Sequence, residues 1–253
     1  MYRGYTKKIV AVVSILVLIG GLWGGYTHFK RNANAKNITL HQFSQVEQGP
    51  FEDGKQYRKL SAKIMTNPAI PELFVKNPGR IQVIEFFNYA CFWCQRIHPL
   101  LNDWVEKHHK VVDLYRFPVV FNQGWDVLGK AYHVVELLKM TSALDMTFFK
   151  AIHQDHLNLA DEATLKKFFE TQGISNEKFE ELYHSFEVAQ AVGKSQLASN
   201  VFQITVSPSV IIILPSGAYI TSPATAGRED KDVIAVLEYL IERELKSLPS
   251  NHS

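Results

Sequence analysis

Apolar and polar positions follow three regimes along the chain. Residues 9–26, "IVAVVSILVLIGGLWGGY", run for 18 positions without a charge. At about 1.5 Å per residue such a run crosses a bilayer core as a helix. Residues 28–48 are polar and lack a period, the pattern of a tether. From residue 49 onward short apolar runs alternate with amphipathic ones. "IQVIEFFNY" (81–89) is rich in β-branched and aromatic residues and nearly uncharged, as a buried central strand requires. From Cys91 to about Lys110, Ile97, Leu101, Trp104 and Val105 recur at helical spacing, with Pro99 inside. "VVDLYRFPVVF" (111–121) predicts a second strand. Residues from about 126 to 203 are helical in pattern throughout. Within them Asp161 and Gly173 mark the start and stop of one helix, and a long helix runs from a Ser175 cap to Val201. "SVIIIL" (209–214), a Pro-Ser-Gly turn and "AYIT" predict a hairpin. Val233, Val236, Leu237, Leu240 and Ile241 then form the apolar stripe of a closing helix.

The order strand, helix, strand, helical block, hairpin, helix predicts an α/β fold with an all-helical insertion over about 126–200. The crossover between the first two strands should be right-handed. Residues 49–253 form this body, 28–48 the linker, 9–27 a single N-terminal transmembrane signal anchor, and 1–8 a basic cytoplasmic stub with Arg3, Lys7 and Lys8. A cleaved signal is the alternative. Its only small-x-small site, Ala33-Asn34-Ala35, lies beyond His28, Lys30 and Arg31, farther from the apolar run than usual. Cleavage near Ala35 would leave a soluble exported protein; either route exports the body. The 46% hydrophobic content supports a real core, and a net charge of +2 with scattered basic residues provides no surface for nucleic acid.

Both cysteines of the chain lie in "ACFWCQ", at Cys91 and Cys94. A disulfide closing so small a loop stabilises by only about 2 kcal/mol, which argues against a structural staple. A zinc site needs four ligands, and beyond His98 no further ligand is evident, so no metal is expected. A redox dithiol has a mechanism. Cys91 would start the helix, where free backbone N–H groups and the helix dipole stabilise a thiolate. Cys94, one turn in, would be the resolving thiol. Glu85 sits inside an apolar strand; burial should raise its pKa and let it exchange a proton with Cys94, unless the strand edge exposes it. Pro99 should kink the helix. A cis bond at Ser207-Pro208 would aim the Ser207 backbone at the active sulfur and towards an extended substrate. Phe92, Trp93, Val206 and Phe202 could form an apolar groove for unfolded chains, with core packing the competing reading for the last two. Arg116 is a candidate to offset Glu85. His98 reads as a packed or solvent-facing helix residue, and His153 and His156 as ordinary positions on an insertion helix.

An acid six residues before Cys91, the Cys-x-x-Cys, a proline five after Cys94 and a late Thr205-Val206-Ser207-Pro208 together resemble the thioredoxin superfamily. The helical insertion, "FEDGKQY" (51–57) and "VIEFF" (83–87) are similar to the DsbA-like exported thiol:disulfide oxidoreductases, over about residues 49–245. The resemblance implies an enzyme of the bacterial periplasm, here tethered to the inner membrane. It implies catalysis by Cys91, Cys94, Glu85 and a cis Pro208, with substrate contacts from Phe92, Trp93, Val206 and Ser207. It implies no cofactor beyond the Cys91–Cys94 disulfide. Its partners would be unfolded exported polypeptides with cysteines and a membrane quinone-linked thiol oxidase of the DsbB type. Two alternatives stand beside the oxidase: a reductase or isomerase on the same fold, and a membrane-tethered chaperone with secondary redox activity. Where the family usually has Pro-His between the cysteines, this chain has Phe92-Trp93, which implies a less acidic Cys91 and a milder oxidant. Residues 60–78 depart from the family pattern.

Overall fold

The structure, a computed structural model, describes residues 51–247 apart from 75, 76, 78 and 228. The predicted stub, anchor and linker lie outside these residues. Among the described residues no helix is long and apolar enough to cross a membrane.

The sheet is built around the strand with the most apolar sequence. β2 (Ile81–Phe87) is buried at every position. It pairs in parallel with β3 (Val112–Pro118) on one side and antiparallel with β4 (Ser209–Leu214) on the other. β5 (Gly217–Thr221) and the two-residue β1 (Arg58–Lys59) complete the order β1-β5-β4-β2-β3. Two short helices, α1 (Ala62–Met65) and α2 (Ile70–Leu73), lie within the 60–78 stretch. They bury Ile64, Ile70 and Leu73 against the sheet face that carries Ile84 and Phe86.

The parallel β2–β3 connection is made by α3 (Phe92–Lys107), with Pro99 inside it. Between β3 and β4 the chain is helical: α4 (Gln123–Leu137), α5 (Thr141–His153), α6 (Glu162–Thr171), α7 (Asn176–Tyr183) and α8 (Phe186–Val201). Asp161 caps α6 by accepting from Thr164 N at 2.9 Å, and Gly173 follows it at φ +81°, a conformation that favours glycine. Ser175 caps α7. The expected single helix from Ser175 to Val201 is two helices. Ser185 is a cap in its own right, accepting from Val188 N at 3.2 Å, and this breaks the run at His184-Ser185.

Alternation along β2 divides the core. Ile84 and Phe86 face a cluster with Phe117, Phe202, Ile211 and Ile213. Phe87 faces the other cluster, in which Tyr89, Cys91 and Cys94 pack with the insertion's Phe148, Phe149 and Phe169. The redox segment is thus part of the seam between sheet and insertion. α9 (Pro223–Ala226) and α10 (Lys231–Ser247) close the fold, α10 packing on α3 and β4.

Candidate active site

The turn from β2 into α3 is set by one buried side chain. Asn88 donates from Nδ2 to Val119 O (2.9 Å) and Trp125 O (3.1 Å), and its Oδ1 accepts from Ala90 N (3.0 Å). Its own carbonyl accepts from Cys91 N at 3.0 Å. This leaves Cys91 as the N-cap residue of α3 in extended conformation and Cys94 one turn inside. The two cysteines are free thiols, Cys91 nearly buried and Cys94 fully so.

Opposite them is the loop before β4. The Ser207–Pro208 peptide is cis. Cys91 Sγ donates to the Ser207 carbonyl at 3.3 Å, and Cys94 Sγ lies 3.2 Å from the Ser207 hydroxyl. Ser207 therefore contacts both sulfurs. The hydrogen bond from the Cys94 thiol is the largest influence on Cys91; burial opposes it, and the Cys94 N–H, the Ser207 hydroxyl and the Trp93 N–H add to it. The balance lowers Cys91 to about 7 from an ordinary 9.0. Burial pushes Cys94 well up, and the neighbouring Cys91 adds to this. The pair is polarised: an exchangeable thiolate at the helix start and a protonated thiol behind it.

Phe92 (53% exposed), Trp93 (40%) and Val206 (47%) form an apolar surface beside the cysteines. Trp93, Val206, Ser207 and Pro208 line a groove of about 380 Å³ with Ser222 and Pro223. Phe202 does not take part: it is fully buried against Phe74 and Phe86. Arg96 holds the two exposed rings from behind, its guanidinium 5.8 Å from Phe92 and 5.4 Å from Trp93 while paired to Asp230 at 2.7 Å.

Glu85 is fully buried, but its expected raised pKa is overturned. Burial alone would raise it, yet the His98 and Arg116 charges and hydrogen bonds prevail and hold it at about 2. Arg116 is its cross-strand partner in the β2–β3 register and donates from Nε to Glu85 Oε2 at 2.7 Å. Arg116 also bonds Asn102 Oδ1. His98 Nδ1 lies 3.2 Å from Glu85 Oε1, and His98 Nε2 lies 3.2 Å from Asp145 Oδ2. Asp145 Oδ1 accepts from the Tyr89 hydroxyl at 2.5 Å. So firmly paired an anion is not placed to exchange protons with Cys94, which has Ser207 rather than Glu85 beside its sulfur.

His98 is therefore neither solvent-facing nor an ordinary packed residue, and His153 also belongs to the site: its Nε2 donates to Tyr89 O at 2.8 Å. Asn88, Tyr89 and Asp145 escaped the sequence reading altogether. Only the i, i+4, i+8 spacing of Asp145, Phe149 and His153 on α5 hinted at a shared face. Elsewhere, Ser195 Oγ, His133 and Glu136 form a Ser-His-acid chain. Ser195 is buried and donates to Ala191 O at 3.1 Å, so it is no nucleophile. Among the described residues Glu162, Glu180 and His184 bring ligand atoms within 4.8 Å of one another. Glu180 already holds Lys166 at 2.5 Å, and the set carries no metal assignment.

A sheet with a Cys-x-x-Cys at the start of its crossover helix and a cis proline facing the sulfurs defines a dithiol protein of the thioredoxin superfamily. The family described as "DSBA-like thioredoxin domain" matches residues 114–220. Thiol:disulfide interchange protein DsbA of Pseudomonas syringae pv. tomato is 30% identical over 195 residues, 77% of this chain and 85% of that protein. The protein of the same name from Bordetella parapertussis is 29% identical, over 78% and 90%. The crystal structure of Pseudomonas aeruginosa DsbA superposes with a TM-score of 0.66 at 28% identity, over 78% of this chain and 96% of that one. The chain belongs to the DsbA-like thioredoxin-domain family of thiol:disulfide oxidoreductases.

Proposed function

We propose that the chain is an exported protein disulfide oxidase acting through Cys91 and Cys94. In the disulfide form, a client thiolate attacks Cys91 Sγ, the Cys91–Cys94 bond breaks, and Cys94 leaves with the electron pair and takes up a proton. The client's second thiolate then attacks the client sulfur of the mixed disulfide and expels the Cys91 thiolate. Two electrons pass from client to protein. The observation that carries this reading is the polarised pair against Ser207, with Cys91 at about 7 and Cys94 raised. A Cys91 thiolate that forms near neutrality is a good leaving group for the second step.

In this reading Ser207 and Pro208 present backbone to an extended client, and Phe92, Trp93 and Val206 offer it apolar surface. Glu85 acts as a charge fixed beneath the site, not as a base. Reoxidation is assigned to a membrane quinone-linked thiol oxidase of the DsbB type. Residues 9–27 serve as inner-membrane anchor and 28–48 as tether, placing the body (49–253) in the periplasm; cleavage near Ala35 would release the same body there. The insertion, about 126–200, is the lid of the seam that holds the cysteines.

Trp93 provides no cationic donor to Cys91, which makes the protein a milder oxidant than members with Pro-His at this position. The same observation favours a second reading, a reductase or isomerase. The deciding experiment mixes the disulfide form with a reduced two-cysteine peptide and follows peptide oxidation. Stoichiometric oxidation that Cys91→Ser abolishes supports the oxidase. Failure to oxidise the peptide, with efficient reduction of a peptide disulfide by the dithiol form, sinks it.

A further inference from the structure

The ten-residue segment from Tyr89 to His98 contains both cysteines, and both its ends bond to one carboxylate outside it. Tyr89 OH donates to Asp145 Oδ1 at 2.5 Å, and His98 Nε2 lies 3.2 Å from Asp145 Oδ2. Asp145 sits on α5 of the insertion. Tyr89 lies two residues before Cys91, and His98 lies four residues after Cys94 on α3.

Three observations make this more than a packing contact. First, both His98 ring nitrogens face carboxylates, Glu85 on one side and Asp145 on the other, and carboxylates only accept. Each of these carboxylates takes a further donor, Arg116 Nε on Glu85 and Tyr89 OH on Asp145. The order Arg116, Glu85, His98, Asp145, Tyr89 places each carboxylate between the His98 ring and one further donor, which suits a protonated His98 in a buried set that would otherwise hold an unpaired charge. Second, the bonded ends are held rigidly. The His98 ring centroid lies 5.4 Å from Phe87 and 5.3 Å from Phe149, and the Tyr89 ring stacks on Phe148 at 4.6 Å. Third, the same face of α5 reaches the segment again: His153, two turns beyond Asp145, donates to the Tyr89 carbonyl and lies 6.3 Å from the Phe92 ring, centroid to centroid.

We propose that Asp145 is a positioning residue for dithiol chemistry, bracketing the redox segment through Tyr89 and His98 so that Cys94 stays aligned to attack Cys91. The proposal deepens the oxidoreductase reading and rests on it. Asp145 touches neither sulfur; it acts by fixing both ends of the segment that carries them. The insertion thereby belongs to the machinery of the resolving step. Alignment matters there because Cys94 Sγ must approach Cys91 Sγ in line with the bond to the departing thiolate, and small misplacements of reacting atoms slow such steps steeply.

The test follows the full chain carrying a mixed disulfide between Cys91 and glutathione. Cys94 thiolate attacks Cys91 Sγ, the bond to glutathione breaks, and glutathione leaves as thiolate; its release is timed by quenched flow. In Asp145→Ala release should slow on the order of tenfold. Tyr89→Phe removes one hydroxyl, keeps the ring on Phe148, and should slow it severalfold even if Asp145→Ala fails to fold. Tyr89→Phe combined with Asp145→Ala should slow release by less than the product of the single effects, because both remove the Tyr89–Asp145 bond. A pH profile separates positioning from stability. His98 faces Glu85 from β2 and Asp145 from α5; behind these stand Arg116 of β3 on Glu85 and Tyr89 of the turn on Asp145, and both carboxylates act on Tyr132 of α4. Removing the Asp145 side chain, whose hydrogen bond helps raise the His98 pKa, should bring a histidine ionisation into the profile of release. Variants that only melt earlier, with release times and profile unchanged, overturn the proposal while leaving the dithiol reading intact. An unmodified protein that never releases glutathione would overturn the dithiol reading itself.

Discussion

Helix α3 is flanked by two buried glutamates that meet opposite fates. Glu85, on the central strand, faces His98 and Arg116 and is held at about 2. Glu238, on α10, faces the far end of the same helix. Trp104 Nε1 donates to its Oε1 at 2.6 Å, while His108 Nε2 stays 3.8 Å away and Oε2 has no hydrogen-bond partner among the described residues. Burial prevails there, assisted by Glu242, and the Glu238 pKa is raised despite Trp104 and His108. Both residues are more than nine-tenths buried. Desolvation alone therefore does not set the protonation of a buried acid. The number and closeness of its cationic partners do. The carboxyl nearer the cysteines is the fixed charge, and the titratable one lies at the end of α3 away from them.

The sharpest way to break this contrast is to take a cation from Glu85. Arg116→Ala leaves the fully buried carboxylate with His98 alone and removes a bonded guanidinium that is itself mostly buried. Breaking such a pair from one side destabilises by about 3–5 kcal/mol, read from the urea midpoint at constant slope. A loss below about 1 kcal/mol, the level of a surface pair, would mean that Arg116 does not hold Glu85 as an anion.

Acid separates the two glutamates next, because their linkage has opposite sign. Glu85 has a folded pKa lowered from 4.5 to about 2, so its contribution is complete above 4.5 and is lost as pH falls towards 2. That shift corresponds to roughly 3 kcal/mol. His98 is raised above its ordinary 6.5: burial lowers it, but Glu85 and Asp145 prevail. Its contribution is complete below 6.5 and lost as pH rises through the folded value. The cluster is therefore most stabilising between about 4.5 and 6.5. Urea titrations of the unmodified protein and Glu85→Gln should differ most in that window and converge towards pH 2. Parallel curves across the range would show that Glu85 is not shifted.

The same contrast marks what the sequence could and could not reveal. Cys91 at a helix start, Cys94 one turn in and Pro208 before a strand were legible because each depends on neighbours within a few residues. The burial of Glu85 was legible from the apolar strand around it. Its ionisation was legible only in part: Arg116 on β3, 31 residues away, stood as a candidate to offset it and does so, but His98, 13 residues away on α3, did not. Asp145 is 47 residues from His98 and 56 from Tyr89, and no local pattern marks an acid on an insertion helix as their common partner. Phe202 and Val206 offered the same apolar chemistry, yet one is core and the other surface. Only the fold of the loop before β4 separates them. The break at Ser185 was missed because helical spacing continues across it and hides a cap that the hydroxyl makes locally.

The smallest expected effect tests the other side of the comparison. Glu238→Gln keeps an acceptor for the Trp104 indole and exchanges one unpartnered polar atom for another, so the substitution isolates the charge. Because burial raises the Glu238 pKa, ionising it in the folded protein is unfavourable, and this cost is present only above its unfolded value near 4.5. Gln should match the unmodified protein at pH 4 and equal or exceed its stability at pH 8, by no more than about 1 kcal/mol. The reverse sign, with Gln losing stability as pH rises, would show that His108 pairs with Glu238 as firmly as His98 pairs with Glu85. The two ends of α3 would then follow the same rule.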